Sequence, residues 1–181
     1  VQHKQPVSTH ITIRQESPAD FQEVYALHTA AFGAENEAKL VDLLRTSMAF
    51  VPELALVATI GNKLVGHILF SKIKIADAEQ HEWESLALAP VAVIPEYQRQ
   101  GIGEKLIRTG LERAKALHFK SVIVLGHAQY YPKFGFEPAD KWQIKAPFEV
   151  PVEVFMALEL VPDGLKNVHG TVIYPKAFEM V

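Results

Sequence analysis

A mixed α/β fold is predicted, with a mostly antiparallel sheet and helices on both of its faces. Two features of the chain carry this. Gly61-Asn62 separates two long apolar runs, which is the mark of a β-hairpin closed by a two-residue turn. Residues 86–125 read as strand, amphipathic helix, strand, and such a unit joins two parallel strands through a right-handed crossover. Length and composition agree: 181 residues, 49% hydrophobic and 22% charged, are enough for one domain with a substantial core.

The elements follow in order. His10 to Arg14 alternates and reads as a first strand. Ser17-Pro18-Ala19-Asp20 starts a helix, with Ser17 as N-cap, Pro18 at the first helical position and Asp20 in the first turn; it runs to Phe32. A second helix covers Glu35 to Ser47, with Leu40, Leu43 and Leu44 on one face. Glu53–Ile60 and Lys63–Ile75 are the hairpin strands, 76–81 a polar turn, and Glu82–Ile94 the next long strand. Pro90 inside that strand cannot donate to a ladder, so it marks an edge, a bulge or a departure from a neighbour. From Gly101 to Leu117 the apolar positions 102, 106, 107, 111, 114 and 117 have helical spacing. Ser121–Leu125 is a short apolar strand. Gln129–Phe134 allows only a short helix, because Pro132 must lie in its first turn. Phe136, Val152–Leu160 and Val168–Tyr174 supply the remaining strands. With no repeat and no linker, residues 10–181 are expected to form a single domain and residues 1–9 a flexible polar arm.

Composition excludes several function classes. A net charge of −3 gives no global basic field for nucleic acid or an anionic membrane. Cysteine is absent, so there is no disulfide framework, thiolate nucleophile or cysteine metal site; this suits a reducing compartment, and a cytoplasmic location is expected. No apolar run is long enough to span a bilayer. The histidines, at 3, 10, 28, 67, 81, 118, 127 and 169, show no tight ligand spacing, and no metal is expected.

The most informative stretch is Pro95-Glu96-Tyr97-Gln98-Arg99-Gln100-Gly101-Ile102-Gly103. It links an apolar strand to an amphipathic helix, so free backbone N–H groups and the helix dipole converge on one point. That is a site for a phosphate-bearing ligand. Gly101 and Gly103 let such a ligand approach the backbone closely. A dinucleotide fingerprint would need a third glycine where Leu106 stands. A P-loop would need Gly-Lys-Ser/Thr, and Gly103 is followed by Glu104-Lys105.

Gln98-Arg99-Gln100-Gly101-Ile102-Gly103, preceded by Ala92-Val93-Ile94-Pro95-Glu96-Tyr97, resembles the acetyl-CoA motif of the GNAT superfamily of N-acetyltransferases. Tyr131-Pro132-Lys133-Phe134-Gly135-Phe136 resembles that family's downstream Tyr-x-x-x-Gly-Phe motif. Ala30-Ala31-Phe32 with Glu37-Ala38-Lys39-Leu40-Val41, Gly66-His67-Ile68-Leu69-Phe70-Ser71, and Gly170-Thr171-Val172-Ile173-Tyr174 look like its YhbS-like subgroup. Element by element, the resemblance extends over roughly residues 10–180.

The resemblance implies a GNAT-type sheet and acetyl-CoA as cosubstrate, its diphosphate over Gln98, Arg99, Gln100, Gly101, Ile102, Gly103 and Glu104. It also implies that Val91, Ala92 and Val93 line the pantetheine arm, with an N–H near Val93 polarising the thioester carbonyl. Tyr131 takes the family's general-acid position, and adjacent Tyr130 is its rival. The base is less determined: Glu84 on the central strand, His127 beyond the strand Ser121–Leu125, or none if the amine arrives neutral. Glu82 and His67 read more simply as a solvated and a structural side chain. Glu35-Asn36-Glu37 fits either an amine-greeting cluster or an acid-rich helix start. The expected activity is acetyl transfer to a primary amine by direct attack in a ternary complex. The alternatives are a non-catalytic acyl-CoA-binding or sensing domain, and transfer of a longer acyl group. A homodimer is left open.

Overall fold

Alternating apolar residues set strand β1 (Ile11–Gln15) against β2 (Phe50–Ile60), and the Gly61-Asn62 turn folds β2 onto β3 (Lys63–Ala76). A polar turn then returns β4 (Glu82–Val93) along β3. The computed structural model describes residues 10–181, and the expected arm 1–9 lies outside them. Further strands are β5 (Ser121–Leu125), β6 (Glu137–Pro138), β7 (Ile144–Lys145), β8 (Phe155–Glu159) and β9 (Gly170–Ile173). They complete a nine-stranded sheet of order β1-β2-β3-β4-β5-β8-β6, with β9 beside β3 and β7 beside β9. All pairs are antiparallel except β4–β5 and β7–β9.

Helix α1 (Phe21–Phe32) begins as expected around Ser17 and Pro18, after one 3-10 turn. The Asp20 carboxylate accepts from the Ser17 N–H at 2.8 Å and from Arg14, which pins the entry. Helix α2 (Asn36–Arg45) packs beside α1, and both bury their apolar faces on one side of the sheet, where Val24, Leu27, Val41 and Leu44 meet Ala55, Val57 and Leu69. Helix α3 (Ile102–Ala116) covers the opposite side with Ile102, Leu106, Ile107 and Ala114. Ile102, Leu106 and Ile107 are fully buried, and each contributes about 1.5–3 kcal/mol by leaving water. A third cluster, with Ala87, Ile123, Ala157 and Val172, shares Phe178 with the α1–α2 cluster.

The sheet is divided by a short seam. Strands β4 and β5 pair only at Leu86–Val122 and Ala87–Ile123. The Ser85 and Ser121 hydroxyls share a buried 2.7 Å hydrogen bond at its closed end. Beyond it β4 stays with β3 as far as Val93, while β5 turns to β8, and a cleft opens between them. Pro90 takes the bulge role: the β3–β4 register slips between Ile68–Val91 and Phe70–Leu88. The slip lets Val91 and Val93 pack on the same side of the sheet as Leu88, toward α3.

Candidate active site

The turn before α3 is built for an anion. Arg99 and Gly101 both have positive φ, 63° and 83°, so the chain coils tightly before the helix begins. The first hydrogen bond there runs from the Lys105 N–H to the Gly101 carbonyl at 3.1 Å. The N–H groups of Ile102, Gly103 and Glu104 therefore precede the helical ladder and point out of its N-terminus. A Cβ on Gly103 would lie 3.6 Å from the Tyr130 hydroxyl and 3.8 Å from Val93, which is ordinary contact. No protein neighbour demands glycine there, whereas a ligand seated on the N–H groups would.

These groups face a cavity of about 310 Å³ lined by Val93, Tyr97, Arg99, Gly101, Gly103 and Lys133 among others. Gln98 and Glu104 line it too, but their side chains have partners. The Gln98 amide donates to the Val93 carbonyl at 2.9 Å and ties the turn to the end of β4. Glu104 accepts from Arg108 at 3.0 Å and from Lys133 at 3.3 Å, and these hydrogen bonds hold its carboxyl below the usual range. Ala92 is buried toward α1 and α2, and Gln100 is exposed outside the cavity, so neither offers a side chain to it.

Beyond this cavity β4 leads back from Val93 toward the seam. From Val93 back to Ala89 is four residues, about 13 Å of strand. After β5 comes the 3-10 turn Tyr131–Phe134. Gly126 permits Tyr131 its place: a Cβ there would sit 2.3 Å from the Tyr131 ring. Tyr131 is buried against Phe136 and Phe134, and burial followed by the nearby Tyr130 pushes its phenol up to about 12. It is thus a neutral proton donor at ordinary pH. Tyr130 turns the other way, over Gly103, with the Lys133 ammonium 4.2 Å from its ring centre.

A model of the acetyltransferase (GNAT) domain matches residues 12–139. The chain belongs to the GNAT acetyltransferase family. With that family comes its enzyme class, N-acetyltransferase. Two relatives from Escherichia coli K12 are similar to it. The uncharacterised N-acetyltransferase YjhQ is 41% identical over 145 residues, 80% of each chain. The uncharacterised N-acetyltransferase YhbS is 32% identical over 167 residues, 92% of this chain and 97% of YhbS. Among solved structures, Escherichia coli YhbS in complex with CoA superposes with a TM-score of 0.87 at 30% identity, covering 98% of this chain and 96% of that one. A GNAT acetyltransferase from Brucella melitensis in complex with acetyl-CoA gives 0.76 at 32% identity, covering 94% and 99%.

Within this GNAT domain the other expected site residues scatter. Glu84 precedes the seam and pairs with Lys74 across β3, at the closed end of the cleft. It borders a different cavity, beside Trp83, His118 and Lys120. Lys120 and Gly126 are six residues apart along β5, about 20 Å, so Glu84 and Tyr131 are not brought together. His127 is exposed, and its carbonyl accepts from the Tyr130 and Tyr131 N–H groups, so it shapes the turn through its backbone. Glu35 and Asn36 open α2, with Glu35 3.7 Å from Lys39, as an acid-rich helix start does.

Sequence reasoning missed a buried chain of polar groups under α1. Glu16 accepts from His67 Nε2 at 2.6 Å and from Arg45 at 2.7 Å, and His67 Nδ1 lies 2.8 Å from His28 Nε2. With Glu16 ionised, His67 presents a bare Nδ1 that accepts from His28, and His28 Nδ1 is left buried without a partner. Burial lowers both imidazoles, His28 to about 3, although Glu16 pulls His67 the other way. Burial raises Glu16, but the hydrogen bonds from His67 and Arg45 outweigh it and keep its carboxyl below the usual range. The members lie 39 and 51 positions apart, beyond any spacing rule. Asp77, Glu79 and His81 also gather in the β3–β4 turn. There the Asp77 carboxylate accepts from the Glu79 and His81 N–H groups, which accounts for the cluster as a turn.

Proposed function

We propose that this protein transfers an acetyl group from acetyl-CoA to a primary amine by direct attack in a ternary complex. The observation that supports the reading is the parting of β4 from β5, with the Gly101–Gly103 turn following β4 and the Tyr131 turn following β5. The N–H groups of Ile102, Gly103 and Glu104 hold the diphosphate, and Arg99 and Lys133 offset its charge. Residues Val91 to Val93 present backbone to the pantetheine arm as a strand edge, and an N–H near Val93 polarises the carbonyl.

When bound, acetyl-CoA supplies a thioester carbon that the amine lone pair attacks. The C–N bond forms and the C–S bond breaks. The amine gives up one proton to solvent, and Tyr131 returns one to the departing sulfur. Tyr131 suits this better than Tyr130, whose hydroxyl stands over the diphosphate turn. No role is kept for Glu84, and the base is dispensable if the amine arrives neutral. We place this chemistry in the cytoplasm, where a chain without cysteine meets no oxidising demand.

The test is release of free CoA thiol from acetyl-CoA across a panel of amines, with product mass recorded. Amine-dependent release is expected. Tight CoA binding without release for any amine would show a binding or sensing domain instead. Faster turnover with a longer acyl-CoA would reassign the donor.

A further inference from the structure

The cleft has a second mouth. The Gly101–Gly103 turn and α3 lie on one side of the sheet. On the other side a cavity of about 240 Å³ opens where β4 and β5 part. Its floor is Ala87 and Ala89 from β4 with Ile123 and Leu125 from β5. Its outer wall is aromatic and comes from far along the chain. Phe148 stacks on Tyr174 with centroids 6.2 Å apart and planes 17° apart, and Tyr174 leans on Phe178 at 5.0 Å.

The chemistry of this mouth is one-sided. No residue lining it carries a charge, and Tyr174 brings its one polar side-chain group. Burial alone pushes that phenol up to about 12, so it stays a neutral hydrogen-bonding group. Leu125 and Phe148 are 46% and 47% exposed, so apolar surface continues to the rim. Phe148 also borders a second cavity of about 510 Å³, walled by Ile144, Ala146 and Val152, where Asp140, Lys145 and Glu149 supply charge.

We infer that this mouth is the acceptor pocket and that it takes a primary amine carried on an aromatic or branched aliphatic group. The inference rests on the acetyl-transfer reading above. The amine must reach the thioester carbon in the cleft from the side that the diphosphate does not occupy, and this cavity is the opening there. An ammonium loses its hydration in so apolar a chamber, so the neutral amine is favoured. The pocket then delivers a competent nucleophile with no carboxylate base, in keeping with Glu84 lying at the closed end. A polyamine or amino sugar would bury further charges or hydroxyls with one phenol to satisfy them. A ring or branched chain instead packs on Phe148 and Tyr174, and a polar far end can reach Asp140, Lys145 or Glu149.

The experiment offers 2-phenylethylamine, isoamylamine, putrescine and glucosamine with saturating acetyl-CoA and follows thiol release. The expected kcat/KM for 2-phenylethylamine exceeds those for putrescine and glucosamine at least ~100-fold. Phe148→Ala should raise the KM for 2-phenylethylamine about tenfold, with the KM for acetyl-CoA unchanged. Phe148→Asp should move preference toward putrescine. Phe148 is half exposed, so both variants keep the core. Preference for putrescine or glucosamine, or an unmoved KM in Phe148→Ala, overturns the acceptor assignment while leaving acetyl transfer intact. If no amine releases thiol, the transfer reading falls, and calorimetry of 2-phenylethylamine with the CoA-loaded protein decides the pocket. Binding that weakens in Phe148→Ala upholds it, and no binding overturns it.

Discussion

The two mouths of the β4–β5 cleft are built in opposite ways. The mouth beside α3 is made of backbone: N–H groups at a helix start, shaped by Arg99 and Gly101 at positive φ and framed by Lys133 and Glu104. The mouth beneath Phe148 and Tyr174 is made of apolar side chains drawn from two strands and two later segments. Under the proposed function the first recognises a feature shared by every CoA ester. The second can be changed residue by residue without disturbing the first. A fold that keeps one mouth fixed and lets the other vary can serve many acceptors with one donor.

Breaking the backbone mouth should have the largest effect. Gly103→Glu places a carboxylate where the diphosphate is proposed to sit and would remove two or more charge-assisted hydrogen bonds. Affinity for acetyl-CoA should fall at least ~100-fold by calorimetry, with the melting temperature little changed. Unchanged affinity would move the diphosphate elsewhere. Next comes the junction of the two mouths. Tyr131→Phe should lower kcat about 100-fold while the KM for acetyl-CoA stays within about twofold. Equal loss in both parameters would make Tyr131 a packing residue.

Acid should sharpen the contrast at the level of stability, because the α3 side packs apolar groups while the α1 side also rests on His28, His67, Glu16 and Arg45. His28 lies at about 3 when folded, below its unfolded value. Its contribution is fully present above pH ~6.5 and is lost as pH falls. Between pH 7 and 5 the unfolding free energy should drop by about 2 kcal/mol from His28 alone, measured by urea melts. Glu16, also held low, loses its contribution only below its ordinary carboxylate range. His28→Gln should flatten the slope, and an unchanged slope would mean that His28 titrates alike in the folded and unfolded states. The smallest effect is expected at the closed end. Glu84→Gln should alter kcat/KM less than about twofold, within the scatter of surface substitutions. A large loss there would restore Glu84 as a base and refute its separation from Tyr131.

Legibility in the sequence followed the same division. The backbone mouth could be read because it is contiguous: strand, turn glycines and amphipathic helix lie within residues 86–117, and local rules govern each. The hairpin at Gly61-Asn62 and the bulge at Pro90 were readable for the same reason. The position of Glu84 at the closed end could not be read, because strand parity gives the face but not the level. Its level is set by the register with β5, which depends on contacts between distant segments. The aromatic mouth went unseen because Phe148, Tyr174 and Phe178 meet Ala89 and Leu125 only after the whole sheet has formed. Strand β7 is two residues long and is held by β9 rather than by any pattern of its own.

The seam at Leu86–Val122 and Ala87–Ile123 has a mechanical meaning as well. Two pairs of residues are the whole ladder between a plate made of β1 to β4 and a plate made of β5, β8 and β6, with α3 strapped across one side. In the proposed complex an extended ligand arm lies between the plates and would supply the rungs that the protein leaves out. Under the proposed transfer the donor is a structural member while it is bound, and its departure after each turnover would leave the two plates joined at one end, like a book held by its spine.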